Sequence, residues 1–354
     1  MYFWNVGKDA VGVFYRSELR SVMFDVEAVS ELIESVAPVL GFVPERSLVV
    51  MPAVAGAGAV MRVDLDMISR AGALGEIAAV AAAGVPLVAL FVSEDGANCA
   101  LCEKEFAATA AALAEVLCRC AGKLVAAYVV DRLTEGGRWR CLDRGGVGGV
   151  LGDPAESKWG IAAAVSGRYI FGSRREIEEL VTVDAGRVAH FEVLLGNVGP
   201  DGVGVAEAIA VARRVARGFL VAEGELAQVA AMLVDRSARD AMAALAASAA
   251  SDEMEALWWA LVRSLPGRWR VEALVLLAVS VYVRGDGVLA RVALDAALEV
   301  DSSHTLARLL DRALTAGIEP SEIRVVATEM LSSAGLVNGE PLAKFVDAAM
   351  DGTW

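Results

Sequence analysis

Three acidic positions are the residues of this chain whose placement could support chemistry. Asp64 ends the run VMRVD, Asp95 (beside Glu94) follows VPLVALFVS, and Asp131 follows LVAAYVV. If those runs are parallel strands, the carboxylates gather at their C-terminal ends, where open α/β sheets place ligands. There they could hold Mg²⁺ and, through it, a phosphate ester. The structural account of the same residues is that Asp64 and Asp95 cap helices and Asp131 starts a turn. A hairpin between 48–51 and 60–65 would point Asp64 away from the other two. Arg62, Arg138 and Arg239 can also pair with Asp64, Asp131 and Asp240 as ion pairs that set orientation at an interface more than stability.

The remaining chemical inventory is small. The histidines are His190 and His304, and neither lies in a nucleophile motif. His304, beside Ser303, reads as a surface or helix-capping residue. Cys99 and Cys102 form CxxC, and Cys118 and Cys120 form CxC. The segment between the pairs is a strong helix former, and a rise of about 1.5 Å per residue puts Cys102 roughly 24 Å from Cys118. Four such thiolates cannot share one zinc, so no metal and no cofactor is expected. The cysteines read as small, buried or half-buried residues. The glycines of GGVGGVLG, residues 145–152, lack the Lys-Ser/Thr pair of a phosphate-binding loop and the helix start after it. They read as a mobile surface loop.

The elements that must position these residues follow from periodicity. The first 25 or so residues alternate around Val11, Val13 and Tyr15 and could add an edge strand. A helix is expected over 27–39, buried strands over 48–51, 85–92 and 124–130, and helices over 67–83 and 103–120. That alternation favours a partly parallel sheet covered by helices. Segments 158–166 and 174–180 are helical in pattern, the second with Ser173 and Glu176 as a capping box. Glycines at 196, 199 and 202, with Pro200, mark a linker. The expected organisation is therefore an α/β domain, a mixed sheet with packed helices over 1–195, followed by an all-α, tetratricopeptide-like helical domain over 196–354.

Composition bounds the class. The 354 residues are 56% hydrophobic and 22% charged, which is globular. A formal net charge of -14 repels phosphate backbones, so general nucleic-acid binding is not expected. The uncharged run 77–93 is short for a membrane span and is split by Gly84 and Pro86. The first residues lack the order of a signal peptide. A cytoplasmic protein is expected.

The C-terminal half carries the clearest pattern. Asp252 and Glu255 suit a capping box, residues 273–284 are apolar almost all round, and Gly285-Asp286-Gly287 stops that helix. Over 288–300, Ala290, Ala293, Leu294, Ala297 and Leu298 make one face, opposite Arg291, Asp295 and Glu299. Asp301 or Ser302 is the expected cap of the next helix. Ala290, Leu294 and Ala297, with Tyr282 before them, make one tetratricopeptide-like unit, whereas a solenoid needs several.

The run LPGRWRVEALVLLAVSVYVRGDGVLARVALDAALEVDSSHTLARLLDRALTAGIEP resembles the C-terminal signature of an actinobacterial family, also found in phages of these bacteria, called the domain of unknown function 4192. VLGFVPERSLVV with Arg62, Asp64 and Leu65, then Asp131 with Gly137, Arg138 and Trp139, then SGRYIFGSRREIEEL, and finally Arg239-Asp240 carry the resemblance from about Ile33 to Pro320. The family has no assigned activity, so the resemblance implies a fold neighbourhood and leaves function to the residues. A long helical array beside so sparse a catalytic inventory favours a non-enzymatic module that binds a protein partner. The alternative is a Mg²⁺-dependent phosphate-ester hydrolase or nucleotide-binding enzyme using Asp64, Asp95 and Asp131.

Overall fold

The computed structural model describes residues 2–4, 25–54, 60–70, 72–80, 85–165, 168–198 and 203–332. The expected alternation at Val11, Val13 and Tyr15, most of the 53–57 turn, the end of the 67–83 helix and the 199–202 stretch lie outside them. The chain divides into two compact units, Met1–Glu176 and Ile177–Trp354. This division falls ahead of the break placed near 195 on the strength of the glycines. A helix, Ala185–Gly196, leads up to those glycines, with Asp184 as its cap through Arg187 N at 3.1 Å.

The first unit is built on a mixed seven-stranded sheet in the order β1-β3-β2-β4-β5-β6-β7. The strands are Tyr2–Trp4 (β1), Ser47–Pro52 (β2), Val60–Asp64 (β3), Pro86–Val92 (β4), Lys123–Val130 (β5), Arg138–Cys141 (β6) and Gly148–Val150 (β7). β2 is buried throughout, as a central strand covered on both faces must be, and its sequence is accordingly a continuous apolar run. β4 and β5 are the parallel pair, linked through the Ala100–Arg119 helix. On one face Leu48, Val50, Met61, Phe91 and Val129 pack with Ile77, Leu113 and Leu117 from the Ala73–Val80 and Ala100–Arg119 helices.

The glycine-rich 145–152 segment is not a mobile loop. Its centre is edge strand β7, paired with β6. A Cβ on Gly149 would stand 2.8 Å from Trp139 Nε1 and 2.9 Å from Val26 Cγ1, and one on Gly148 would stand 2.6 Å from the Trp139 carbonyl oxygen. The glycines let β7 lie against a buried tryptophan whose Nε1 donates to Ser30 Oγ at 2.9 Å.

The second unit is helical. Its centre is Gly267–Val283, buried at every position from Ala273 to Val283, in agreement with its all-round apolar sequence. Arg236–Ala244, Ser251–Val262, Gly287–Val300, Thr305–Thr315 and Pro320–Ser332 are among the helices around it. Asp286 caps Gly287–Val300 through Leu289 N at 3.0 Å. Two caps differ from expectation. The Ser251–Val262 helix starts two residues earlier than a cap at Asp252 would place it, so Asp252 lies in its first turn. His304, not Asp301 or Ser302, caps Thr305–Thr315. No helix among the described residues is long and apolar enough to cross a membrane.

Candidate functional site

The acidic strand ends share an edge of the sheet but do not converge. β2 is antiparallel to both β3 and β4, so β3 runs in the same direction as β4 and β5. The hairpin therefore leaves Asp64 at the same edge as Asp131, which overturns the expectation that it would point away. Three strand spacings of about 4.8 Å still separate the two strand ends, roughly 14 Å. Each acid also has local surroundings that account for it. Asp64 pairs with Arg62 at 2.6 Å. Arg62 is itself 5% exposed and donates from Nε to Ser47 Oγ at 2.8 Å. Asp64 stands at the N-cap position of Leu65–Ile68 without a side-chain capping bond. Asp95 is exposed in the first turn of Glu94–Ala97, which Ser93 caps through Gly96 N at 3.0 Å.

Asp131 staples the turn before β6, with Oδ1 accepting from Arg132 N and Arg138 N, both at 2.7 Å. It thus meets Arg138 through the backbone. A Cβ on Gly137 would fall 2.1 Å from the Arg132 carbonyl oxygen, which is why glycine precedes Arg138 in this turn. Among the described residues no group of three or more His, Cys, Asp and Glu is placed to hold a metal ion.

The helical unit does build a polar site. Asp235 caps Arg236–Ala244 by accepting from Ala238 N at 2.9 Å, and this sets Arg239, Asp240 and Ala243 on one helical face. Two turns of the central helix bring Glu272 and Val279 to the same place. Leu306 and Leu310, with Ile323 and Val326, supply an apolar wall, and the 301–304 turn closes one side. The cavity is about 340 Å³.

At its polar end Arg239 donates from Nε (3.0 Å) and from a terminal nitrogen (2.7 Å) to one oxygen, Oδ1 of Asp240. Its other terminal nitrogen is 3.6 Å from Glu272 Oε2. The Arg239-Asp240 ion pair expected from the sequence is therefore present, and Glu272 extends it. His304 Nε2 is 3.3 Å from the same Glu272 oxygen, and His304 Nδ1 accepts from Ala307 N at 3.2 Å. The capping bond requires a bare Nδ1, so the neutral ring carries its proton on Nε2 and donates it to Glu272. His304 does cap a helix, but its side chain is only 9% exposed, because Glu272 draws it inward.

Both imidazole nitrogens are thus occupied, and the ring has no lone pair left with which to activate a nucleophile. Beside it, the Ser303 amide and hydroxyl donate to Asp301 Oδ1 at 2.9 and 2.7 Å. Those two bonds hold the Asp301 carboxyl below its usual range. One atom is unmatched. Asp240 is 2% exposed, and its Oδ2 has no hydrogen-bond partner. A buried carboxylate oxygen left so costs on the order of 1–3 kcal/mol or more. The arrangement can accept a proton donor and offers no complete acid–base pair.

The sequence did not single out Glu272. Its signal was available only as a polar residue at the start of an otherwise apolar helix, seven positions from Val279. The family profile "Domain of unknown function (DUF4192)" matches residues 30–321, and the chain belongs to that family. Comparison with curated proteins and with solved structures finds no match.

Proposed function

We propose that this chain is a non-enzymatic interaction module whose helical unit receives, in the Asp240 cavity, a hydrogen-bond-donating side chain of a protein partner. The observation that carries this reading is Asp240, which lines the cavity and whose buried Oδ2 has no hydrogen-bond partner, while Arg239, Glu272 and His304 beside it pair with one another. A lysine, arginine or amide side chain would supply the missing donor, with its aliphatic stem against Leu306, Leu310 and Val326. A volume of about 340 Å³ suits one inserted side chain and its backbone. The net charge of -14 favours a basic partner surface.

The close packing of Gly267–Val283 along Gly287–Val300 supports describing that pair as tetratricopeptide-like. A cytoplasmic setting fits five unpaired cysteines. The hydrolase reading has less to support it, because Asp64 and Asp131 stand at strand ends three strands apart.

The test is an NMR titration of the full chain with butylguanidinium, butylamine, butanol and butyrate, followed by a lysine- and arginine-scanned peptide array. The cationic probes should shift resonances of Asp240, Val279 and Leu310. Asp240→Asn should weaken them by about tenfold, the loss of one charge-assisted hydrogen bond. Equal binding of butyrate, or cation binding indifferent to Asp240→Asn, refutes the reading.

A further inference from the structure

The two thiols of the CxxC segment stand at either end of one helical turn. Cys99 is the N-cap of Ala100–Arg119, with an extended backbone at φ -117° and ψ 114°. Its Sγ accepts from Cys102 N at 3.5 Å. N-cap and N3 positions bring two Cα atoms to roughly 5.5 Å, inside the range a disulfide spans. Both thiols are free and half-buried, and Leu101 between them is 67% exposed, so an incoming disulfide has access.

We propose that Cys99 and Cys102 form a reversible dithiol–disulfide pair, with Cys99 the nucleophile and Cys102 the resolving thiol, exchanging with a low-molecular-weight disulfide of the glutathione type. The surroundings divide the roles. The Cys102 amide donates to the Cys99 sulfur and, with the neighbouring Cys102 thiol and Leu101 amide, holds the Cys99 thiol below the ordinary value. The neighbouring Cys99 sulfur raises the Cys102 thiol. The N-terminus of a 20-residue helix adds its dipole in favour of a Cys99 thiolate.

The steps balance. The Cys99 thiolate attacks one sulfur of the small disulfide, forming a mixed disulfide and expelling one thiolate, which takes up a proton. Cys102 then loses its proton and attacks the Cys99 sulfur, closing the Cys99–Cys102 bond and expelling the second thiolate. Two protein thiols are oxidised and one small disulfide is reduced to two thiols. The other cysteines are differently placed. Cys118 and Cys120 stand at the far end of the same helix, and burial pushes the Cys141 thiol up.

The experiment titrates the reduced full chain with glutathione disulfide, quenches by alkylation, and maps linkages by mass spectrometry. The expected product has lost two hydrogens and carries a single internal Cys99–Cys102 link. Cys102→Ser should stop at a glutathione adduct on Cys99, and Cys99→Ser should form an adduct at residue 102 at least about tenfold more slowly. Serine can still cap the helix, and circular dichroism confirms that each variant is folded. Persistence of both thiols while Cys118 or Cys120 reacts, or an adduct forming faster at Cys102 than at Cys99, overturns the proposal.

Discussion

Replacing Asp240 tests whether the polar cluster is a net stabiliser or a strained feature held for a ligand. Asp240→Ala removes both hydrogen bonds, at 2.7 and 3.0 Å, from a guanidinium whose side chain is 12% exposed, leaving it only Glu272 at 3.6 Å. Breaking a buried pair in this way costs about 3–5 kcal/mol. The change also deletes the orphaned Oδ2, whose burial costs about 1–3 kcal/mol. The two effects oppose, and the net loss expected is about 2 kcal/mol. Asp240→Asn keeps an acceptor for Arg239 without its charge and should lose about half as much.

The assay is urea unfolding followed by far-ultraviolet circular dichroism. With a slope of about 3 kcal/mol/M the alanine variant should shift the helical transition by roughly 0.7 M, the slope staying constant. A neutral or stabilising Asp240→Ala would mean that the orphaned oxygen costs more than the pair contributes. The account of the Arg239–Asp240 pair as a net stabiliser would then fail.

Two further outcomes follow from single bonds in the helical unit. Tyr282→Phe deletes a buried hydroxyl that donates to the Ile318 carbonyl at 2.8 Å; a loss of about 1–2 kcal/mol is expected in the same assay, and no change would show that the bond contributes nothing net. Asp301 titrates below its usual 3.8 because of Ser303, so its contribution is complete above that value and is lost as pH falls through the lower folded-state pKa. Ser303→Ala should move the Asp301 carboxyl titration up towards 3.8, as read by carbon NMR, and an unmoved curve contradicts the assigned cause.

Local patterns determined much of this protein from sequence. The continuous apolar runs at 48–51, 85–92 and 124–130 read as covered strands, and the almost all-round apolar 273–284 segment as a central helix, since each requires burial on every side. The Arg239-Asp240 pair was likewise visible, because neighbours in sequence need no fold to bring them together.

Tertiary structure decided the rest. Strand order turned Asp64 to the edge that holds Asp131 while keeping them three strands apart, and no local pattern encodes which strands are neighbours. The glycines at 148 and 149 became an edge strand because a buried tryptophan occupies the space a side chain would need. Glu272 and His304, thirty-two residues apart, meet only because separate helices pack, and only that packing leaves Asp240 Oδ2 buried without a partner. Periodicity shows which face of each helix is buried. Which polar atoms then find one another depends on side-chain geometry between helices distant in the chain.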